Sequence, residues 1–294
     1  MERTGTSGES VYRGGLTTRL FGRVLMAKPD FFAITEPKNP FASHNTPVDL
    51  PLAHRQWEQL QHAFQQARLD VSILDPFPGL EDMCFTASQA FVGVDSEDRS
   101  FVIPSRMLHR SRRDEVDHFV RWYVARGYSV LDLNLEDEEF LEGSSDLLWD
   151  MGRDIVWAGY GHRSTLSAVN QFTATMEAMG FGVRKLELVD PHFYHLNLCL
   201  APLAPERLLI YPGAFAPETL AQIRRWVQTA EVTREEASQF VCNGLAVNGT
   251  YITPRLNHRL ERILAQVGLE PIVVELSEFE KSGGSVASLK MLLP

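Results

Sequence analysis

The stretch TPRLNHRLERILAQVGLEPIVVEL, residues 253–276, contains the unit from which the fold is predicted, a helix followed at once by a strand. Thr253 can cap the helix, Pro254 suits its first position, and Gly268 suits its end. Apolar side chains recur at helical spacing along one face: Leu256, Leu260, Ile263, Leu264 and Val267. The β-branched run PIVVEL then predicts a strand.

The same unit recurs along the chain, about every fifty residues. Four more helices are predicted, at residues 52–68, 111–127, 164–179 and 217–229. The second has Ser111 at its start and Asp114 three residues later, which is typical of a capping box. Apolar, β-branched runs around the helices predict strands: GRVLMAK, VSILD, FVIPS, YSVLDL, DIVWAGYG, VRKLELV, YHLNLCLAPL, RLLIYP and SVASLKMLL.

This repeat of strand, strand, helix and strand predicts an α/β ring of five equivalent ββαβ units in a single domain, residues 20–294. Residues 1–19 are polar and predict a flexible N-terminal segment. A closed ring would place strand ends around a central axis, where a polar ligand could be surrounded. A doubly wound parallel sheet is the alternative, but the sequence has no GxGxxG or GxxxxGK[ST] phosphate loop.

Composition narrows the class of partner. The formal net charge is −10 and no Lys/Arg-rich cluster is present, which argues against nucleic acid and anionic membranes and favours a small molecule. No apolar run is long enough to cross a bilayer and no signal peptide is evident, so a cytoplasmic protein is expected. A homodimer is the default expectation for assembly. Three scattered cysteines, Cys84, Cys199 and Cys242, lie in apolar stretches and are expected in the core.

Polar residues embedded in apolar segments indicate a binding site, because such residues need hydrogen bonds or a ligand. Taken singly, Asp82 could end a turn, Arg112 could be solvated, and His195 could be a satisfied core histidine. Together with Glu142 and Arg163 they come from different repeats and suit a guanidino amino acid. Two carboxylates would clamp the guanidinium, and two arginines would hold the α-carboxylate. No metal or organic cofactor is expected, because His195 has no companion at metal-ligand spacing.

At this point several segments resemble one family. FLEGSSD resembles the LEGGD element of dimethylarginine dimethylaminohydrolases, DMCFTAS their guanidinium-binding strand, and HRSRRDEV their PSRRxEV segment. GYGHRS is similar to their GxxxRT element and HLN to their HLx element. SEFEKSGGSVASLKM resembles the glycine-rich segment that ends in the catalytic cysteine. Upstream, VLMAKPDFFAITEPKNPF is closer to bacterial members, including arginine dihydrolases, and places Asn39 on a family asparagine.

The resemblance implies the pentein fold of the guanidino-group modifying superfamily, a five-fold ββαβ propeller that agrees with the repeat. It implies that Glu142 polarises His195 while helping Asp82 to hold the guanidinium. His195 would then be general acid to the leaving amine and general base for water. Ser88 stands where the dihydrolases have an asparagine that takes part in a second hydrolysis, which argues against a dihydrolase outcome.

The resemblance also locates a missing nucleophile. A gap-free match places Ser288 where the family has its cysteine, whereas a slip of one residue would place Ala287 there. Because a serine hydroxyl has a far higher pKa than a thiol, turnover of a dimethylargininase-like reaction should be very low. An engineered cysteine replacement that traps substrate is favoured because the other site residues are retained, and a natural pseudoenzyme is the alternative. Amidinotransferases use the same groups, but the short chain favours a hydrolase.

Overall fold

The structure is a computed structural model that describes residues 21–43, 46–150 and 152–294. The predicted flexible segment, residues 1–19, lies outside these residues. The strands are β1 Arg23–Ala27, β2 Asp70–Leu74, β3 Ala90–Val94, β4 Ser100–Pro104, β5 Ser129–Val130, β6 Leu147–Trp149, β7 Ile155–Tyr160, β8 Gly182–Glu187, β9 Leu200–Ala204, β10 Arg207–Ile210, β11 Gln228–Glu231, β12 Leu245–Val247, β13 Thr250–Thr253, β14 Glu270–Val273 and β15 Met291–Leu293. The helices are α1 Leu50–Gln66, α2 Arg113–Val124, α3 Gly143–Asp146, α4 Leu166–Ala178, α5 Pro217–Trp226, α6 Arg234–Ser238, α7 His258–Gln266 and α8 Ser277–Glu280.

The described strands form five three-stranded sheets with one common topology. In the second sheet, β3 pairs antiparallel with β4, and β4 pairs parallel with β5 after the crossover through α2. The third, fourth and fifth sheets repeat this order around α4, α5 and α7. The predicted five-fold ββαβ repeat is therefore confirmed. The doubly wound alternative is wrong, because every sheet has an antiparallel pair.

The first sheet closes the ring, because its antiparallel strand comes from the other end of the chain. β15 pairs with β1, and β1 pairs in parallel with β2 after α1. Residues of β3, β6, β9, β12 and β15 line one common cavity, so these five strands surround the central axis. We call them the inner strands. Asp82, Glu142, His195 and Ser288 come shortly before inner strands. Arg112 and Arg163 follow β4 and β7, which run antiparallel to the inner strands β3 and β6. The ring therefore brings both sets of residues to one end of the axis.

Each long helix buries an apolar stripe against its own sheet. In α1 the buried residues include Trp57, Leu60 and Phe64, and in α4 they include Val169 and Phe172. Burial of a large apolar side chain contributes about 1.5–3 kcal/mol to folding. Hydrophobic clusters also join neighbouring sheets, since Val24 of β1 packs in one cluster with Ile252 of β13, and Leu25 of β1 in another with Val92 of β3.

Two predicted helix starts are wrong. Thr253 ends β13 and caps no helix; α7 instead begins at His258, and the side chain of Asn257 accepts hydrogen bonds from its first turn. Leu256 consequently lies outside the helix and is 37% exposed. The second helix begins as a 3₁₀ turn and has no side-chain cap, because the Ser111 hydroxyl donates to Glu36 instead.

The backbone conformation at position 143, the first residue of α3, requires a glycine. Its φ is +49°, and a Cβ atom there would overlap the carbonyl oxygen of Ala90. We expect Gly143→Ala to lower the free energy of unfolding by about 2 kcal/mol more than Gly127→Ala, since a backbone clash adds to the αL strain. Gly127 is a matched control because it also has positive φ, +83°, with no atom within 4 Å of its Cβ position. Urea denaturation measures both, and equal losses would contradict this account.

Candidate active site

His195 lies between two carboxylates. Its Nδ1 is 3.1 Å from Asp146 Oδ1, and its Nε2 is 3.3 Å from Glu142 Oε2. Both carboxylates belong to the α3 turn, where Glu142 is the N-cap residue and Asp146 the last residue. Burial lowers the pKa of His195, but Asp146 and Glu142 more than offset burial and leave the pKa above its usual value. The two carboxylates therefore favour the protonated imidazole, which can donate a proton.

Glu142 is fully buried and has three partners. Its Oε2 accepts a hydrogen bond of 2.9 Å from Arg163 Nη1 and contacts His195, and its Oε1 accepts one of 3.1 Å from the Leu108 backbone. Burial raises the pKa of Glu142, but Arg163 and His195 hold it well below its usual range. Glu142 is therefore an ionised carboxylate at neutral pH.

The Asp82 carboxylate already has a cation beside it. Lys38 Nζ lies 3.0 Å from Asp82 Oδ2 and 2.6 Å from Glu81 Oε1, and only 6% of the Lys38 side chain is exposed. Thr35 holds Glu81 through its backbone and its hydroxyl. Burial lowers the pKa of Lys38, but Asp82 and Glu81 raise it overall. Lys38 is therefore a protonated amine in the place where a guanidinium was predicted.

Arg112 is buried and is held mainly by Glu115. Its Nε and Nη2 donate to Glu115 Oε2 at 3.2 and 3.0 Å, and Nη2 also donates to the Asp82 carbonyl at 3.2 Å. Burial raises the pKa of Glu115 to about 7, although Arg112 and a hydrogen bond from Gln89 act in the opposite direction. Glu115 thus holds the guanidinium of Arg112 in position.

Arg163 bridges two sides of the pocket. Besides its bond to Glu142, its Nη2 donates to the Lys38 carbonyl at 2.8 Å. Its guanidinium lies 4.6 Å from the centre of the Tyr194 ring, in a cation–π contact. The Tyr194 hydroxyl in turn donates to the carbonyl of Gly283 in the glycine-rich segment.

Ser288 forms part of the pocket wall, and its Oγ is 3.3 Å from Asn243 Oδ1 and 3.2 Å from Asn243 Nδ2. Ser288 lines the pocket, whereas Ala287 lines the separate axial cavity. The side-chain direction therefore supports Ser288, rather than Ala287, as the residue that faces a ligand.

The remaining two predicted residues help to form the walls. Ser88 Oγ is 2.8 Å from Ser145 Oγ. The Asn39 side chain donates to the Ser282 carbonyl at 2.9 Å and accepts from the backbone of Phe41. Both residues line the pocket, but Asn39 uses its amide to join its own loop to the glycine-rich segment.

The structure thus brings all eight predicted residues together. Seven line one pocket with a free volume of about 30 Å³: Asn39, Asp82, Ser88, Arg112, Arg163, His195 and Ser288. Glu142 lies directly behind them. Their roles toward a ligand stay predictions.

Sequence reasoning missed Lys38, Asp146 and Glu115. The last two were within reach, since Asp146 ends FLEGSSD and Glu115 lies in HRSRRDEV. Lys38 offered no comparable signal, because a lysine in EPKNP is typical of a solvated loop.

Thiols and metal sites are absent from the pocket as far as the described residues show. Cys84, Cys199 and Cys242 are buried, as predicted, and none lines the pocket. Burial raises the pKa of all three thiols. Within the described part of the chain, no group of three or more His, Cys, Asp or Glu side chains is arranged to hold a metal ion. Of the helices described, none has the length and apolar character needed to span a membrane.

Comparisons with known proteins agree with the geometry. Residues 33–291 match the family described as N,N dimethylarginine dimethylhydrolase, eukaryotic. The chain is 32% identical over 265 residues to the N(G),N(G)-dimethylarginine dimethylaminohydrolase of Mycobacterium tuberculosis, covering 90% of this chain and 83% of that one. It is also 30% identical over 291 residues to the Caenorhabditis elegans protein ZK1307.1, covering 98% and 99% of the two chains.

A third relative is a longer protein. The chain is 32% identical over 280 residues to the bifunctional arginine dihydrolase/ornithine cyclodeaminase AgrE of Nostoc, which is 94% of this chain but 38% of AgrE.

Solved structures show the same fold. The N-terminal domain of ArgZ, an arginine dihydrolase from cyanobacteria, superposes with a TM-score of 0.84 at 31% identity, covering 92% of this chain and 97% of that one, in a cysteine-to-serine variant bound to substrate. A dimethylarginine dimethylaminohydrolase superposes with a TM-score of 0.72 at 22% identity, covering 92% of this chain and 99% of that one, and supports the fold alone. The chain is a single pentein domain and belongs to the dimethylarginine dimethylaminohydrolase family.

Proposed function

We propose that this chain binds an arginine-type guanidino amino acid between Asp82 and Glu142 and hydrolyses its guanidino C–N bond only very slowly. The observation that carries the proposal is that Asp82, His195 and Ser288 line one pocket, with the Glu142 carboxylate directly behind His195. A planar guanidinium is the cation that two carboxylates hold best, because it donates in bidentate fashion to each.

Binding requires the internal cations to give way. Lys38 already contacts the Asp82 carboxylate and Arg163 the Glu142 carboxylate, so both cations must move when a guanidinium takes those positions. Arg163 would then leave Glu142 and, together with Arg112, hold the ligand carboxylate. A guanidinium would take the positions now held by Lys38 Nζ on Asp82 and by Arg163 on Glu142.

His195 is suited to the proton transfers of C–N bond hydrolysis. Its protonated form, stabilised by Asp146 and Glu142, would donate a proton to the leaving amine. The neutral imidazole would then accept a proton from the water that completes hydrolysis. One side chain can therefore serve both transfers.

Ser288 limits the first step. A serine attacks as a nucleophile only when a base accepts its proton, and the side-chain partner of Ser288 is the amide of Asn243, which is not a base. The chain should therefore bind the guanidino ligand without hydrolysing it rapidly. A cysteine-to-serine variant of the ArgZ domain is bound to substrate, which supports the compatibility of serine with recognition in this family.

The second candidate function is a natural pseudoenzyme that binds or senses guanidino compounds, which the serine at position 288 favours. A serine engineered at position 288 in place of cysteine would likewise leave binding without rapid turnover. Arginine dihydrolase and amidinotransferase reactions would use the same groups. Ser88 disfavours the dihydrolase, and an asparagine-to-serine variant of ArgZ is found covalently bound to a reaction intermediate.

Titration calorimetry tests the proposal through Arg163. We expect the chain to bind L-arginine or a methylated arginine, and Arg163→Ala to weaken that binding at least about tenfold more than it weakens binding of propylguanidine, which lacks a carboxylate. Arg106→Ala is a control, because Arg106 pairs with the exposed Asp137 and does not line the pocket. Absence of binding to every guanidino amino acid would refute the proposal, and equal weakening of both ligands would refute the role of Arg163.

A further inference from the structure

A second cavity lies on the propeller axis, behind the candidate active site. It has a volume of about 170 Å³ and is lined by all five inner strands. It shares no lining residue with the candidate active site. The two are nevertheless adjacent, because Ser144 and Ala287 face the cavity while their chain neighbours Ser145 and Ser288 face the pocket.

Lys290 provides the cavity with an uncompensated positive charge. Only 5% of the residue is exposed, and no ion pair or hydrogen bond joins its side chain to any described residue. Burial lowers the pKa of Lys290 to about 8, so most of the amine is still protonated at pH 7. A buried cation without a partner is costly, and an anion would remove that cost.

Asn197 adds an unpaired hydrogen-bonding group to the same cavity. Its Oδ1 and Nδ2 are both buried and have no partner among the described residues. Buried amides are normally satisfied, so this one indicates a missing ligand group. Asp150 also lines the cavity, but Arg153 Nη2 lies 2.6 Å from its Oδ2 and compensates its charge.

The rest of the lining is largely apolar. Leu147, Leu200, Ala246 and Met291 are typical of the walls that the inner strands provide. A dry cavity of about 150 Å³ can hold a six-membered carbon ring. The cavity therefore combines room for an apolar body of that size with one cation and one amide donor.

From these features we infer that the axial cavity is a second ligand site, which binds a small monocarboxylate with an apolar body. The carboxylate pairs with Lys290 and accepts a hydrogen bond from Asn197 Nδ2, and the apolar body packs among the inner strands. This inference does not depend on the proposed function of the pocket on the other side.

Benzoate and benzamide form a matched pair of probes, since they share size and shape but differ in charge. We expect benzoate to raise the melting temperature of the full chain at pH 7 by about 3 °C at ten times its Kd. Benzamide should bind at least about tenfold more weakly, because it cannot compensate the charge of Lys290.

Two variants separate charge from volume. Lys290→Met keeps the length of the side chain and removes its charge, and it should weaken benzoate at least about tenfold while leaving benzamide unchanged. Ala246→Leu fills part of the cavity and should weaken both probes. Lys28→Met, which removes a surface lysine paired with Asp75, should change neither. Equal binding of benzoate and benzamide, or full benzoate binding by Lys290→Met, would overturn the inference.

Discussion

Ser288→Cys is expected to raise the rate of citrulline formation from L-arginine or dimethylarginine by about 10³-fold or more. Loss of a nucleophile costs up to about 10⁶-fold in well-studied hydrolases, so restoring one can return a large part of that factor. A thiol ionises far more readily than a hydroxyl, and the pocket contains several cations that favour a thiolate. One such cation is His195, whose pKa is raised. Citrulline and released amine are measured side by side.

The matched control is Ala287→Cys. It introduces the same thiol one residue away, but Ala287 faces the axial cavity instead of the pocket. It should produce no gain, and a thiol-directed reagent should label Ser288→Cys faster in the absence of L-arginine than in its presence. A gain in Ala287→Cys alone would show that the sequence match is displaced by one residue.

A second control tests the histidine. The double variant Ser288→Cys with His195→Gln should lose the restored activity, because the leaving amine then has no proton donor. Ornithine among the products of Ser288→Cys would indicate a second hydrolysis and contradict the expectation drawn from Ser88. If Ser288→Cys binds L-arginine but forms no product and is not labelled, the hydrolase proposal fails.

The fold was predictable because its helices and most of the strands other than the five inner strands are strongly patterned. Helices such as α1 have a broad apolar face, and the ring follows from their regular recurrence. β3, β6, β11, β12 and β13 were missed. β3 is buried throughout and so shows no alternation, whereas β6 and β12 have only three residues each. β11, with the sequence QTAE, is too polar to stand out from the helix before it.

The site was predictable where residues stand out from their neighbours, and not where the fold alone brings them together. Asp82 and His195 are charged groups within apolar segments, which is why they were identified. Lys38 lies in a polar loop and approaches Asp82 only because β1 and the segment before β3 meet at the same end of the axis. That contact depends on how two successive units of the ring pack, which local sequence does not encode.

Lys38→Met is expected to tighten the Kd for L-arginine by about 100-fold. A unit charge about 4 Å away is worth about 4 kcal/mol at an effective dielectric constant of 20, and part of this is lost because Glu81 also loses its partner. The lysine competes directly with a guanidinium, since its Nζ is 3.0 Å from Asp82 Oδ2. Calorimetry on the purified chain gives both affinities.

The control for charge is Lys28→Met, which removes a lysine paired at 2.7 Å with Asp75 on the surface. It should leave the Kd for L-arginine within about twofold, because exposed charges are screened. Weaker binding of L-arginine by Lys38→Met would mean that Lys38 holds the ligand instead of competing with it.

Citrulline separates the two ways in which Lys38 could oppose binding. It has the shape of arginine but carries no positive charge on its side chain, so removal of a competing cation should help it much less than L-arginine. If Lys38 acted only by filling the pocket, whose free volume is about 30 Å³, Lys38→Met would help both ligands equally. The side chain of methionine is nearly as long as that of lysine, which makes a purely steric gain small. A selective gain for L-arginine would therefore assign the effect to the positive charge that Lys38 places beside Asp82.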